Sequence, residues 1–465
     1  MNSAPFTTPA PLEGSLPEVL RAAAARSPND AAIVGVALEA PDVPAEALLG
    51  ASPDEALVFV TPAGFESAGL GTAATLTASG NERFASIQQQ ASELFSRVTT
   101  LAGTAAPERP RLFGGFAFQP GRAATDLWRP FGEARFVLPR LLYTRRGTNA
   151  ATLTLFAPPA ELESFADQVE ETLSLLRAAV VPGASAAPAA WPTPAPPADE
   201  TNQEALRWCV LADRICAAIA RGEYEKVVLA RRVEIALARR PELGAVLARL
   251  RAQAPECTRF LLAHGGATFL GATPERLIRK QGSVIDSEAV AGSINSGDPS
   301  GVSKLLESEK DLLEHGVVVR DIVAALEPVT DELEHPRRPE LHRLKHVLHL
   351  RTPIRGRVPE NRHVLSLVER LHPTPAVGGV PTAAAQAWIA RHERHERGWY
   401  AGPFGWFDAS GDGEFVVALR SGVLVGERAH LYVGAGIVQG SAPDDEFIET
   451  QWKLAAMAGA LGVGS

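Results

Sequence analysis

The sequence predicts an α+β fold, and three features carry that reading. Strand-like stretches, apolar or alternating, recur in both halves of the chain. Amphipathic helical stretches lie among them without the regular strand–helix–strand alternation of a doubly wound sheet. No internal repeat runs through the 465 residues, which removes solenoids and propellers. A chain of this length can bury a large core, and length alone allows two or three domains.

Taken in order, RFASIQQQASELFSRVTTLA (83–102) is spaced as a helix. RLFGGFAF (111–118), RFVLPRLLYTRR (135–146) and AATLTLFA (150–157) read as strands. The stretch 181–200 is rich in Pro and Ala, sustains neither helix nor strand, and is expected to run extended over the surface. It separates an N-terminal part, 1–180, from a region 201–465 where the punctuation is denser. There NQEALRWCVLADRICAAIARGE (202–223) places Trp208, Leu211, Ile215 and Ile219 on one helical face. YEKVVLARRVEIAL reads as a strand, and ATFLGATPERLIRK as a strand leading through a turn to a second, GSVIDSEAVAGS. ESEKDLLEHGVVVRDIVAAL is an amphipathic helix. Strands follow at EFVVALRSGVLVG and HLYVGAGIVQG, and a helix at DDEFIETQWKL (444–454).

Composition narrows the function classes. A formal charge of −9 with no basic face argues against nucleic acid. HRLKHVLHLRTPIRGR (342–357) is basic but interleaved with Leu, Val and Pro, which suits a strand or a local anion site. Cys209, Cys216 and Cys257 form neither a disulfide framework nor a CxxC pattern, and read as core residues of a reducing compartment. The first residues lack the charged and apolar segments of a secretory leader. No apolar run approaches the ~20 residues that span a bilayer. A cytoplasmic protein is expected.

The chemistry-bearing residues fall in the second region. On the last helix Glu446, Glu449 and Lys453 share a stripe bordering an apolar face; on the earlier one Asp311 and Glu314 do the same, beside His315 and Val318. Such pairs suit a solvated helix, or, on converging helices, Mg²⁺, which takes one or two carboxylates plus waters and an anionic substrate. Lys226 opens a strand and reads either as a solvated strand end or as a cleft lysine able to act as a base. Glu275, in GATPERL, is either a turn carboxylate paired with Arg276 or a functional acid. Arg420 interrupts an apolar strand, where it requires a core carboxylate or an anionic ligand. VGAGIVQGS clusters glycines where a backbone must be approached closely. RHERHERG (391–398) lacks the HExxH zinc spacing and reads as a charged helix end.

In order, KVVLARR, FLGATPERL, EAVAGS, SEKDLLEH, HLRTPIRG, LHPTPAVGG, WYAGPFGW, VVALRSG, GAGIVQGS and EFIETQWKL resemble the chorismate-utilising enzymes. Within that family the resemblance is nearest to the isochorismate synthases of the menaquinone type, and it is dense over 203–461. It implies one large α+β unit, two antiparallel-rich sheets packed with helices around a central cleft, as in anthranilate synthase component I. The Pro/Ala stretch then becomes a loop within it. The resemblance implies that Lys226 activates a water for attack at C2 of chorismate, while Glu275 protonates the departing C4 hydroxyl from the opposite face. Glu314 and Glu449 match the Mg²⁺-binding carboxylates, and Asp311 and Glu446 the acids that hold metal-bound waters. Arg420 and Tyr400, supported by Lys453 and the backbone at Gly436, match the partners of the other carboxylate. Gly292, Ser293 and His349 match positions lining the ring.

Leu312 and Leu313 stand where many relatives have Arg-His, on the side of the helix away from the acids. SINSG follows AVAG where the aminating relatives have Thr-Arg, and those relatives lack a lysine at the position of Lys226. Water is therefore the implied nucleophile, and no amidotransferase subunit is expected. The implied activity is an isomerase, isochorismate synthase, acting as a monomer in menaquinone synthesis. The alternatives are a siderophore-pathway isochorismate synthase and a salicylate synthase that goes on to eliminate pyruvate. A non-catalytic chorismate-binding or metal-sensing module is a further class, against which the joint presence of Lys226 and Glu275 counts.

Overall fold

Two long strands, Phe65–Ala78 and Ala134–Arg146, organise the sheet. They pair antiparallel along their whole length, with a bulge between Thr72 and Ala74. The second is rich in β-branched, aromatic and leucine side chains that pack on a pleated surface. Its other edge is divided. Residues 134–137 pair with the strand Arg111–Phe116, and residues 141–145 pair with Ala151–Ala157. The sheet splays into two arms from this point. The computed structural model describes residues 14–50, 53–122, 125–147, 151–180, 198–345 and 347–462.

One arm runs from Arg111–Phe116 through Pro403–Asp408, Gly413–Val417, Arg276–Gln281 and Val284–Asn295 to Val347–Arg357. The other runs from Phe65–Ala78 through Ala56–Val60, Thr258–His264, Ala267–Thr273, Ser421–Val425 and Arg428–Val438 to Lys226–Ala236. Among the described residues every pairing is antiparallel except Ile33–Ala40 with Val98–Ala102. The α+β class therefore holds, with a correction: hydrogen bonding is continuous through the long strand pair, so the two expected sheets are arms of one network.

Two large apolar clusters hold the arms together. One contains Phe113, Trp128, Phe136, Phe269, Trp399 and Phe404. The other contains Leu141, Leu155, Leu247, Leu261 and Met457, and packs helices on the opposite side. Two local expectations need revision. The helix expected over 83–102 stops at Phe95, and Val98–Ala102 is a strand, because its β-branched Val-Thr-Thr run pairs better against Ile33–Ala37 than it coils. The Pro/Ala stretch 181–200 lies outside the described residues except for its last three, which begin the helix Ala198–Ala220. No helix among the described residues is long and apolar enough to cross a membrane.

The loop preceding Tyr400 depends on a glycine. Gly398 has φ +52°, and a Cβ there would lie 2.0 Å from the Trp128 ring. That indole is fully buried, bonds the Tyr432 hydroxyl at 3.2 Å, and Tyr432 in turn stacks on Tyr400. Gly398→Ala combines a left-handed backbone penalty with overpacking, and is expected to cost about 2–4 kcal/mol of stability. Urea unfolding of the two proteins checks this; equal midpoints would show that the loop accommodates a methyl group.

Candidate active site

The chain crosses between the two arms at two adjacent places, and each crossing delivers a side chain. The first is Thr273–Arg276, between the strands Ala267–Thr273 and Arg276–Gln281, and it carries Glu275. The second is Val417–Ser421, and it carries Arg420. The crossings are tied together: Thr273 Oγ1 donates to the Val417 carbonyl at 2.6 Å, Val417 N–H to the Glu275 carbonyl at 3.1 Å, and Ala272 N–H to the Arg420 carbonyl at 3.2 Å. Arg420 thus sits between strands and not within one, at φ +46°. A non-glycine residue pays for that backbone only where the surroundings enforce it.

Around these crossings a cleft is lined by Glu275, Gly292, Ser293, Glu314, His349, Tyr400, Arg420, Gly436 and Lys453, and Lys226 lies directly behind its wall, against Glu314 and Gly436. The remaining candidates adjoin it. Glu449 is paired with Lys453 at 2.5 Å, Asp311 lies against Gly292, and Glu446 is paired with Lys310 at 2.5 Å. All thirteen residues singled out in the sequence therefore gather at one place. The acid stripes come from the helices Glu309–Leu326 and Pro443–Ala460, whose buried faces carry Val317, Val318, Ile322 and Phe447, Met457.

Glu275 is 3% exposed. Burial first, and Glu288 second, push its carboxyl up to about 8, although Lys226 and Lys453 pull the other way. Its neighbour Arg276 bonds Glu414 at 3.0 Å instead, which removes the turn ion pair as an account of Glu275. Lys226 has no exposed surface, so the solvated strand end is excluded. Its Nζ lies 2.8 Å from Glu314 as an ion pair that lacks an aligned hydrogen bond. Burial is the largest influence and works to raise the Glu314 carboxyl, but Lys226, Lys310 and Lys453 together hold the group below its ordinary value. The contact requires Gly436 opposite: a Cβ there would lie 2.4 Å from Glu314 Oε1 and 2.6 Å from Lys226 Cε.

His349 holds the arginine. Arg420 Nη2 donates to His349 Nε2 at 2.7 Å, so the ring proton sits on Nδ1, facing the Gly292 carbonyl at 3.2 Å and Ser293 Oγ at 3.0 Å. Burial, then Arg420, keeps this imidazole well below its usual range and neutral. The Arg420 guanidinium has no carboxylate partner among the described residues, leaving it able to take an anionic ligand in a bidentate way. Gly292 makes the bulge that turns this strand toward the cleft, with φ +75° and a register shift before Ser293.

Among the described residues no three His, Cys, Asp or Glu side chains are close enough to hold an ion unaided. The four carboxylates nevertheless act on one another. Burial raises Glu446, and Glu449 and Glu314 add to this against Lys310; burial likewise raises Asp311, with Glu314 and Glu449 contributing. Lysines 226, 310 and 453 supply the counter-charge. Crowded oxygen donors with at most two direct ligands fit Mg²⁺ completed by waters and an anionic ligand.

Several participants were not singled out in the sequence. Lys310 lies inside the quoted SEKDLLEH motif, one residue before the acid stripe. Glu288 accepts Arg276 N–H at 2.8 Å and Arg351 Nε at 2.6 Å, and carries no spacing signal of its own. The reading of RHERHERG as a charged helix end holds only for its first two residues, Arg391 and His392. The helix stops at His392, and Glu393 and Arg397 form an ion pair only 2% and 3% exposed, with Arg397 lining the cleft.

The model of the family described as chorismate binding enzyme matches residues 19–462. The chain is similar to the salicylate biosynthesis isochorismate synthase of Pseudomonas aeruginosa, 38% identical over 84% of this chain and 82% of that protein. It is similar to the isochorismate synthase MenF of Bacillus subtilis, 37% identical over 76% of this chain and 75% of that one. The structure of MenF, the menaquinone-specific isochorismate synthase from Escherichia coli, superposes with a TM-score of 0.76 at 28% identity, covering 96% of this chain and 99% of that one.

The raised carboxyl of Glu275 has a consequence for stability. The folded state binds this proton up to about pH 8, and an unfolded carboxyl releases it near pH 4.5. The contribution is complete below pH 4.5 and is lost as pH rises through 8. Relative to wild type, Glu275→Gln is expected to gain several °C in Tm between pH 5 and pH 9. A difference that stays constant across that range would remove the assignment.

Proposed function

Since the chain belongs to the chorismate binding enzymes, we propose that it is an isochorismate synthase, an isomerase that adds water at C2 of chorismate with loss of the C4 hydroxyl. The observation that carries this reading is a cleft that holds a buried carboxylic acid, Glu275, still protonated near pH 7, with the buried Lys226 amine set against two residues of the same cleft, Glu314 and Gly436. In the proposed reaction Lys226 removes a proton from the attacking water, and Glu275 delivers its proton to the leaving hydroxyl. Each such transfer typically contributes about 10²–10⁴-fold in rate. Arg420, fixed by His349, and Tyr400 would hold the side-chain carboxylate. The ring would lie against Gly292 and Ser293. Glu314 and Glu449 would hold Mg²⁺, with Asp311 and Glu446 holding its waters; the ion would supply positive charge for the ring carboxylate.

The resemblance of the WYAGP and HLRTPI segments points the product toward menaquinone. The relative from Pseudomonas aeruginosa, named for salicylate biosynthesis, favours a second destination. Neither destination alters the chemistry assigned to the cleft. A salicylate synthase would differ, because it releases pyruvate from the same site.

Purified protein given chorismate and Mg²⁺ is expected to form isochorismate reversibly; salicylate and pyruvate as the accumulating products would overturn the reading in favour of the salicylate synthase. Lys226→Ala is expected to lower kcat by about 10²–10⁴-fold while chorismate still binds by calorimetry, and normal turnover would remove the base. Glu449→Gln is expected to shift the Mg²⁺ titration to higher concentration. An unshifted curve would take Glu449 out of the site. The pH profile adds a check on the acid: kcat should fall tenfold per pH unit above about 8, where Glu275 loses its proton.

A further inference from the structure

The strand that carries Lys226 lacks a neighbouring strand where one is most needed. On one edge Lys226–Ala236 pairs with Arg428–Val438 throughout. On the other, the strand Gly379–Val380 pairs only with Lys226 and Val227. Beyond Val227 the free edge faces the loops around Val377 and Tyr400. Its polar groups are taken by other means: Val228 N–H donates to the Gly378 carbonyl at 2.9 Å, the Val228 carbonyl accepts from Arg397 Nη2 at 2.8 Å, and Ala230 N–H donates to Glu393 Oε1 at 2.8 Å.

Arg397 and Glu393 complete each other. Arg397 Nε and Nη2 donate to the two Glu393 oxygens at 2.8 and 2.6 Å, and Nη1 donates to the Val377 carbonyl at 2.7 Å. The guanidinium also lies over the Phe118 ring at 4.4 Å. A bidentate pair of this kind has one geometry and little freedom. It takes the place of a strand along the free edge, two and four residues from Lys226.

We propose that the Glu393–Arg397 pair is a positioning device that fixes the Lys226 strand, and through it the amine that acts as base. Arg397 reaches the cleft wall, and its action on the reaction runs through the Val228 carbonyl. The inference rests on the isochorismate synthase reading for its kinetic consequences, while the anchoring of Ala230 is independent of it. A buried ion pair is weak evidence for stability, since apolar replacements of similar volume are often neutral. This pair differs from an apolar filler in the three backbone bonds it makes, two of them to the Lys226 strand.

The test uses Arg397→Lys and the double variant Glu393→Met with Arg397→Met, with Glu234→Gln as control. Glu234 is exposed on the same strand and pairs with Arg428. The first two are expected to lose on the order of 10–100-fold in kcat, as a displacement of about 1 Å at a catalytic group produces, with KM for chorismate changed less than about twofold. Glu234→Gln should retain full activity. Amide exchange at Ala230 should quicken at least about tenfold in both pair variants, whether or not substrate is turned over. Unchanged Ala230 exchange, or full kcat in a folded pair variant, would overturn the proposal. Wild-type protein that fails to convert chorismate while the Ala230 amide responds would overturn the functional reading alone.

Discussion

Three hydrogen bonds between two chain crossings govern this molecule. The arms of the sheet diverge at the strand Ala134–Arg146, and they are reconnected where Thr273–Arg276 and Val417–Ser421 pass side by side. A chain that changes arms has no ladder to satisfy its backbone at that point, so the two crossings satisfy each other. The consequence is rigid placement of two awkward residues. Glu275 is held in a dry position that disfavours its charge, and Arg420 is held at a backbone angle that most residues avoid. Functional groups on such a frame need no reorganisation when a ligand arrives.

The charges of the cleft follow from the same enclosure. Glu314, Glu446 and Glu449 would repel one another, and each instead meets a lysine. Burial pushes such carboxylates toward neutrality; the lysines overcome it at Glu314, while Glu446 stays raised despite Lys310. The balance is local, because Gly436 leaves space for Lys226 and Glu314 to touch, and a methyl group would separate them. Glycine at this position acts on electrostatics through volume.

Much of this was legible in the sequence, and the limits have physical causes. The acid stripes on SEKDLLEH and EFIETQWKL were readable because helical periodicity fixes which residues share a face. Their convergence was not, since periodicity says nothing about the distance between helices 130 residues apart. Lys226 and Glu275 stood at the ends of apolar strands, a position that suits solvent as well as a cleft. The fold-wide order of motifs decided between those settings where local pattern could not. Arg420 was misread as a strand residue because its left-handed backbone is imposed by the neighbouring crossing. The end of the helix over 83–102 was misplaced because Val98–Ala102 forms a strand only against Ile33–Ala37, a tertiary pairing.

The misreading of RHERHERG has a deeper reason. The strand bearing Lys226 has a neighbour on both sides at Lys226 itself and loses one of them just beyond Val227. One edge is therefore open from Val228 onward, and an open edge leaves carbonyls and amides without strand partners. Water could satisfy them, but water in this position would compete with the one molecule meant to react. Side chains are the alternative, and a single bidentate Arg–Glu pair can donate to one carbonyl and accept from the next amide while neutralising itself. Charged residues at such a site therefore look like surface residues in sequence and are buried in the fold. Their burial reflects the open strand edge beside them more than any contribution to the core.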